Sequence, residues 1–228
     1  MNLLRKPFVW RYDNAVLYLI GINILVFLAQ FVFDSPRNPW LTWALSLNVS
    51  DVLDRGQVWG FFTYMFTHGS VQHLLFNMLG LFFFGTAVEK QMGTKEFLLF
   101  YIGTGVLAGL ASFLFYLATG ADYIQLLGAS GVVYAILFAY AVFFPTSRIY
   151  IWGILPIRAP LLVAIYTAIT IFSMLGGSGG GVAHLTHLAG FVFAWLWFPV
   201  RFAINPFRSL LGGGSWPGGR GSNGRWPR

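Results

Sequence analysis

The chain has 228 residues, of which 57% are hydrophobic and only 9% charged, whereas a soluble domain of this size carries about 25% charged residues. Most of its surface therefore meets something other than water, and the composition is that of one compact polytopic membrane domain. The absence of cysteine excludes a disulfide framework and a thiolate metal site. The net charge of +7 comes from basic residues scattered singly between apolar runs, which excludes a nucleic-acid footprint.

Apolar runs suited to spans follow in chain order at 15–33, about 71–88, 97–118, 131–144, about 161–175 and 182–200. The fifth is preceded by an apolar stretch at 149–157. Asn23 and Gln30 interrupt the first run, and Phe31-Val32-Phe33-Asp34 offers no small-residue cleavage site, so it reads as a retained anchor rather than a signal peptide. The later runs contain Gly, Pro, His or Asn, which a helix bundle tolerates better than lipid does. Arg5, Lys6 and Arg11, then Lys90 and Lys95, then Arg148 and Arg158, and finally Arg201, Arg208, Arg220, Arg225 and Arg228 fall on one side of a six-span arrangement. Only Arg37 and Arg55 fall on the other, so the positive-inside rule puts both termini in the cytoplasm. The expected layout is a cytoplasmic segment at 1–14, a six-helix all-α domain at 15–200, and a Gly/Arg-rich cytoplasmic tail at 201–228 expected to be disordered.

The outer loop at 34–70 carries Trp40, Trp43, Trp59, Phe61, Phe62 and Tyr64. That is too aromatic for a solvated loop, and it is expected to lie half-immersed in the interface. A second outer loop, 119–129, leads into Ser130, and a third, 176–181, is made of Gly and Ser.

Polar residues inside apolar runs carry the functional signal, because lipid makes them costly. Gly128-Ala129-Ser130-Gly131 heads the fourth run, which has 14 residues before Pro145. A helix of that length rises about 21 Å against roughly 30 Å of hydrocarbon. If its Pro145 end reaches the inner interface, Ser130 sits at a helix N-terminus inside the membrane, where unpaired backbone N–H groups face an incoming oxyanion. Alone, Ser130 reads equally as a helix cap. In the sixth run His187, Gly190 and Ala194 share a face, as do Gly131, Ala135 and Ala139 on the fourth. Two such small-residue stripes allow close approach and would bring His187 to Ser130. Tyr134, one turn below Ser130, is placed to stack on the imidazole. His73 and Asn77, four apart on the second run with His68 just before, share a face and offer donors, or form a plain interhelical pair. None of the seven carboxylates lies mid-span, so a two-residue Ser–His device fits better than a triad.

Together these features resemble the rhomboid family of intramembrane proteases over roughly residues 56–194. Thr67 to Asn77 resembles the family's second-helix motif, with His73 followed four residues later by Asn77. Gly85 to Gly93 is similar to the end of that helix, Gly128-Ala129-Ser130-Gly131-Val132-Val133-Tyr134 to the nucleophile motif, and His187-Leu188-Ala189-Gly190 to the catalytic-histidine motif. The resemblance implies Ser130 as nucleophile and His187 as general base. It further implies an oxyanion hole from His73, Asn77 and the Ser130 N–H, and support from Tyr134, Gly128 and Gly190. Glu89 and the Trp59 loop would be structural. His184 also follows Ala, but His187 places His-x-x-Gly in register. Trp59-Gly60 stands where the family often has Trp-Arg, which bears on loop stability, and Ala194 replaces a common Gly.

The implied activity is cleavage of transmembrane segments near their outer ends, without cofactor or metal. The implied partners are membrane-protein substrates and the lipid bilayer, in a prokaryotic inner membrane; the sequence leaves the oligomeric state open. The cavity for water is expected to be lined by His68, His73, Asn77 and Ser130. The fifth helix, with Pro156 and Pro160 at its base, is the candidate gate. Three alternatives stand beside this: an inactive relative that binds membrane helices, a haem or metal site on His68, His73, His184 and His187, and a transporter. The last has neither an inverted repeat nor a mid-span carboxylate to support it.

Overall fold

A computed structural model of the chain describes residues 7–151, 153–175 and 181–211. Helix α1 (Ala15–Phe33) is apolar almost throughout. Its first amides, orphaned by the geometry of any helix start, donate to a buried carboxylate: Glu89 accepts from Ala15 N at 2.7 Å and Val16 N at 3.0 Å. The negative charge also matches the positive end of the helix dipole. Asn23 and Gln30, the polar interruptions of the first run, are buried. Gln30 ties α1 to the outer loop by donating to Thr42 Oγ1 and His68 O and accepting from His68 N.

The loop after α1 folds into short helices, α2 (Trp40–Leu45), α3 (Val49–Arg55) and α4 (Gly60–Thr63). Asn48 caps α3 by accepting from Asp51 N, and Gly56 ends it in the left-handed region at φ 67°. The loop keeps several large apolar side chains exposed, Trp40, Trp43, Trp59 and Phe62 among them. Trp59 donates its indole N–H to Ala44 O at 2.7 Å. A methyl at Gly60 would lie 2.8 Å from Ser46 O; the departure from Trp-Arg at this place thus accompanies a close backbone approach.

The second span runs from Val71 to Met92 as α5 (Val71–Gly80), a π-helical turn at Leu81–Gly85 and α6 (Thr86–Met92). Ser70 caps it, accepting from His73 N. Next come α7 (Thr94–Thr119), α8 (Ser130–Phe143), α9 (Ala159–Leu175) and α10 (Gly181–Trp197), which continues through a π-helical turn at Phe198–Phe202. Among the described residues, helices at Ala15–Phe33, Val71–Met92, Thr94–Thr119 and His184–Phe202 are long and apolar enough to cross a membrane. Ser130–Phe143 and Ala159–Met174 are shorter apolar helices. The chain is a polytopic, essentially all-α membrane protein. The short helix α8 forms its centre: Val132, Ala135, Ile136, Ala139 and Ala141 are fully buried.

Two regions differ from the sequence-based layout. The apolar stretch at 149–157 is a β-hairpin, β1 (Arg148–Ile151) paired antiparallel with β2 (Leu155–Arg158). β-Branched and aromatic residues favour the pleated conformation, and Gly153 takes the left-handed geometry of the turn at φ 73°. Secondly, the proposed tail begins too early. Arg201 is buried and holds Glu96 through two hydrogen bonds, Nε to Oε1 at 2.8 Å and Nη2 to Oε2 at 2.7 Å. Beyond it Asn205 caps α11 (Pro206–Leu210), whose Pro206 and Ser209 are buried. Residues 212–228, expected to be disordered, and 176–180 of the Gly-rich loop lie outside the described residues. At the other terminus, residues before α1 also pack: Trp10 Nε1 donates to Lys90 O and Thr94 N to Arg11 O.

Candidate active site

The segment leading to Ser130 is pinned before the helix begins. Leu126 and Leu47 exchange backbone hydrogen bonds at 2.8 and 2.9 Å, and Gly128 N donates to Tyr64 O at 2.9 Å. Tyr64 is itself buried and donates its hydroxyl to Gly105 O at 2.7 Å. Gly128 turns the chain at φ 110°, a conformation that favours glycine. Ser130 is then the first residue of α8, so its N–H belongs to the unpaired first turn.

α10 brings His187 to this point. Its Nε2 lies 2.8 Å from Ser130 Oγ. The approach depends on missing side chains: a methyl at Gly190 would lie 2.1 Å from Gly131 O, and one at Gly131 would lie 2.8 Å from Thr186 Cγ2. Ala194 continues the stripe, fully buried. The small-residue faces read from the sequence therefore do meet. Tyr134 stacks on the His187 ring, with centroids 4.1 Å apart and planes 11° from parallel. His184 sits with its ring centroid 6.3 Å from that of His187; of the two, His187 makes the contact with Ser130.

The second span supplies donors from the opposite side. A methyl at Gly128 would lie 2.6 Å from His73 Nε2, 2.5 Å from His73 Cε1 and 3.7 Å from Asn77 Nδ2. His73 thus crowds the turn just before Ser130, where only a residue without a side chain leaves it room, and Asn77 stands at ordinary contact distance behind it. Asn77 Nδ2 is buried and has no hydrogen-bond partner among the described residues, and its side chain lines the same cavity as Ser130. His73, Asn77, Gly128, Ser130, Tyr134 and His187 all line one cavity of about 580 Å³. From this polar end the cavity runs between α5, α8 and α9 to Ile149 and Ile151 of the hairpin.

His68 does not line that cavity, contrary to the sequence-based expectation. The two bonds from Gln30 to its backbone turn it inward, where it is 2% exposed and packs edge-on to the His73 ring at 5.1 Å. Burial, then the neighbouring His73, pushes its imidazole down to about 4, so it backs His73 as a neutral ring. Thr186 was missed as a supporting residue. Its Oγ1 shares a hydrogen bond of 2.7 Å with Ser112 Oγ on α7, fixing α10 one residue before His187. A hydroxyl next to the histidine in an apolar run is the signal that marks it.

None of the carboxylates lines the cavity, so the pair has no acidic third member among its walls. Among the described residues no group of three or more His, Asp or Glu is placed to hold a metal ion. Ser130 and His187 can together deliver an activated hydroxyl, with His73 and Asn77 lining the same cavity.

A family model for the rhomboid domain matches residues 55–203, and the chain belongs to that family. Among curated relatives it is similar to the putative rhomboid protease YdcA of Bacillus subtilis, with 25% identity over 181 residues, covering 79% of this chain and 86% of that protein. Rhomboid protease GluP of the same organism is 32% identical over 118 residues, 52% of this chain, and rhomboid protease GlpG of Salmonella choleraesuis is 32% identical over 115, 50% of this chain. The matches span only 22% of GluP and 38% of GlpG.

Proposed function

We propose that the chain is an intramembrane serine endopeptidase that cleaves transmembrane segments of other proteins with a Ser130–His187 dyad. The observation that carries this reading is the 2.8 Å contact between Ser130 Oγ and His187 Nε2 in a cavity among membrane helices. His187 Nε2 takes the hydroxyl proton as Ser130 Oγ attacks a peptide carbonyl. The oxygen that gains charge is held by the Ser130 N–H, His73 and Asn77. The C–N bond then breaks, and His187 gives its proton to the leaving amine. Water deprotonated by His187 attacks the resulting ester and frees Ser130. Tyr134 holds the imidazole plane, and Gly128 and Gly190 permit the two approaches.

An intact helix hides its carbonyls in hydrogen bonds, so substrates with Gly or other helix-breaking residues near the cut unwind most readily. The cavity's extension between α5 and α9 supports lateral access from lipid on that side. The catalytic unit comprises the spans from residue 15 together with the packed stretch to 211. Both termini are cytoplasmic and the dyad opens outward, in the plasma membrane of a prokaryote. A family member that only binds membrane helices is the second reading, since the same cavity would hold a helix without cutting it.

The test is cleavage of a transmembrane reporter in proteoliposomes, with Gly-Ala or Leu-Leu near its outer end. Wild type is expected to cut the Gly-Ala reporter faster, and Ser130→Ala and His187→Ala to cut neither. Cleavage surviving in Ser130→Ala would refute the dyad, and stoichiometric reporter binding without cleavage by wild type would favour the binding role.

A further inference from the structure

The hairpin between α8 and α9 has two unlike faces. Ile149, Ile151 and Ile157 point to the inner face and are half-buried, while Arg148, Tyr150, Pro156 and Arg158 are exposed on the other. The register places Arg148 directly opposite Arg158 and Tyr150 opposite Pro156. Like charges directly opposite each other destabilise a strand pair, and a lone two-stranded hairpin is marginal to begin with. Among the described residues no carboxylate relieves this repulsion. The chain's seven carboxylates all lie among the described residues, and none forms an ion pair with either arginine. Asp13 pairs with Arg11, Asp51 with Arg55 and Glu96 with Arg201. Glu89 holds the start of α1, and Asp34 accepts from Leu41, Thr42 and the Thr42 hydroxyl.

The tip is apolar as well as exposed. Ile154 is 82% and Leu155 58% exposed, and the strands run straight into α9 at Ala159, so the hairpin sits where membrane spans end. Paired guanidinium forks bind phosphate through parallel hydrogen bonds. A tyrosine beside them suits the headgroup level, and an apolar tip suits the acyl boundary below it.

We propose that the outward face of this hairpin is a binding site for an anionic phospholipid, its phosphate bridging Arg148 and Arg158 with Ile154 and Leu155 in the acyl region. The proposal stands apart from the chemistry at Ser130. The phosphate supplies the missing counter-charge and so holds together the two strands whose inner face, through Ile149 and Ile151, walls the far end of the cavity.

The full chain in detergent micelles would be titrated with fluorescent phosphatidylglycerol and, separately, phosphatidylcholine. Wild type is expected to prefer phosphatidylglycerol, and Arg148→Gln/Arg158→Gln to weaken its binding by about 30-fold, each basic group near anionic lipid being worth roughly fivefold. Arg208→Gln on α11 is expected to change it by less than about twofold. Raising salt to about 0.5 M, which shortens screening to about 4 Å, should erase the preference in wild type; this second measurement holds even if the double variant fails to fold. A wild-type preference that ignores salt, or one retained in a folded double variant, would overturn the proposal. So would competition by inorganic phosphate as effective as the lipid, which would mark a free-anion site.

Discussion

Helix α8 meets the rest of the molecule in two different ways. Toward α10 the backbones approach so closely that a methyl at Gly190 would sit 2.1 Å from Gly131 O, and Ser112 and Thr186 join hydroxyls across α7 and α10. The same side is clamped at its far end by the buried Glu96–Arg201 pair. Toward α5 and α9 the packing gives way to a cavity of about 580 Å³, bridged by the Tyr134–Tyr166 edge contact at 5.5 Å. On α9 Phe172 is 78% exposed. The contrast separates two tasks: the tight side fixes where the imidazole meets the hydroxyl, and the open side is where a large ligand can reach them.

Changes on the tight side should be severe. Glu96→Gln takes a charge out of the buried Glu96–Arg201 pair and is expected to cost about 3–5 kcal/mol, read as a large fall in thermal midpoint in detergent. Across the cavity on α5, Asn77→Ala removes a donor with no hydrogen-bond partner among the described residues, so its midpoint should hold while the cleavage rate falls on the order of 10²–10³-fold. A parallel loss of stability would instead make Asn77 a packing residue. Gly190→Ala must push α10 off α8, and a displacement near 1 Å costs about 10²-fold in rate; near-wild-type activity would mean the tight seam is not needed. Tyr134→Ala removes the ring under His187, worth about 2–12-fold by the usual strength of an aromatic pair, and Tyr134→Phe should restore most of it. On the open side, Leu162→Ala should alter labelling of Ser130 by a small probe less than about twofold. Its effect on cleavage of a membrane-embedded reporter should be larger, and equal effects on both would dissolve the contrast.

The site was more legible in the sequence than the scaffold around it. Ser130, His187, His73 and Asn77 stand out because lipid makes polar residues in apolar runs conspicuous, and the glycine and alanine spacings on α8 and α10 already implied a seam. What fastens the spans left no local trace. Glu96 and Arg201 lie 105 residues apart, and Glu89 serves the start of α1 from 74 residues away. His68 seemed to belong with His73 because it is a nearby histidine, yet a carboxamide on α1 decides where it points. The hairpin was hidden because a short apolar run reads alike as strand or helix; its alternating exposed and half-buried residues become telling only once Arg148 and Arg158 are known to face each other.

The most direct measurement is labelling of purified protein with a fluorophosphonate, with the modified residue located by peptide mass spectrometry. Attachment is expected at Ser130 in wild type, and none in Ser130→Ala or His187→Ala, with His184→Ala still labelled. Label carried by another residue, or Ser130 labelled as fast in His187→Ala as in wild type, would contradict the dyad.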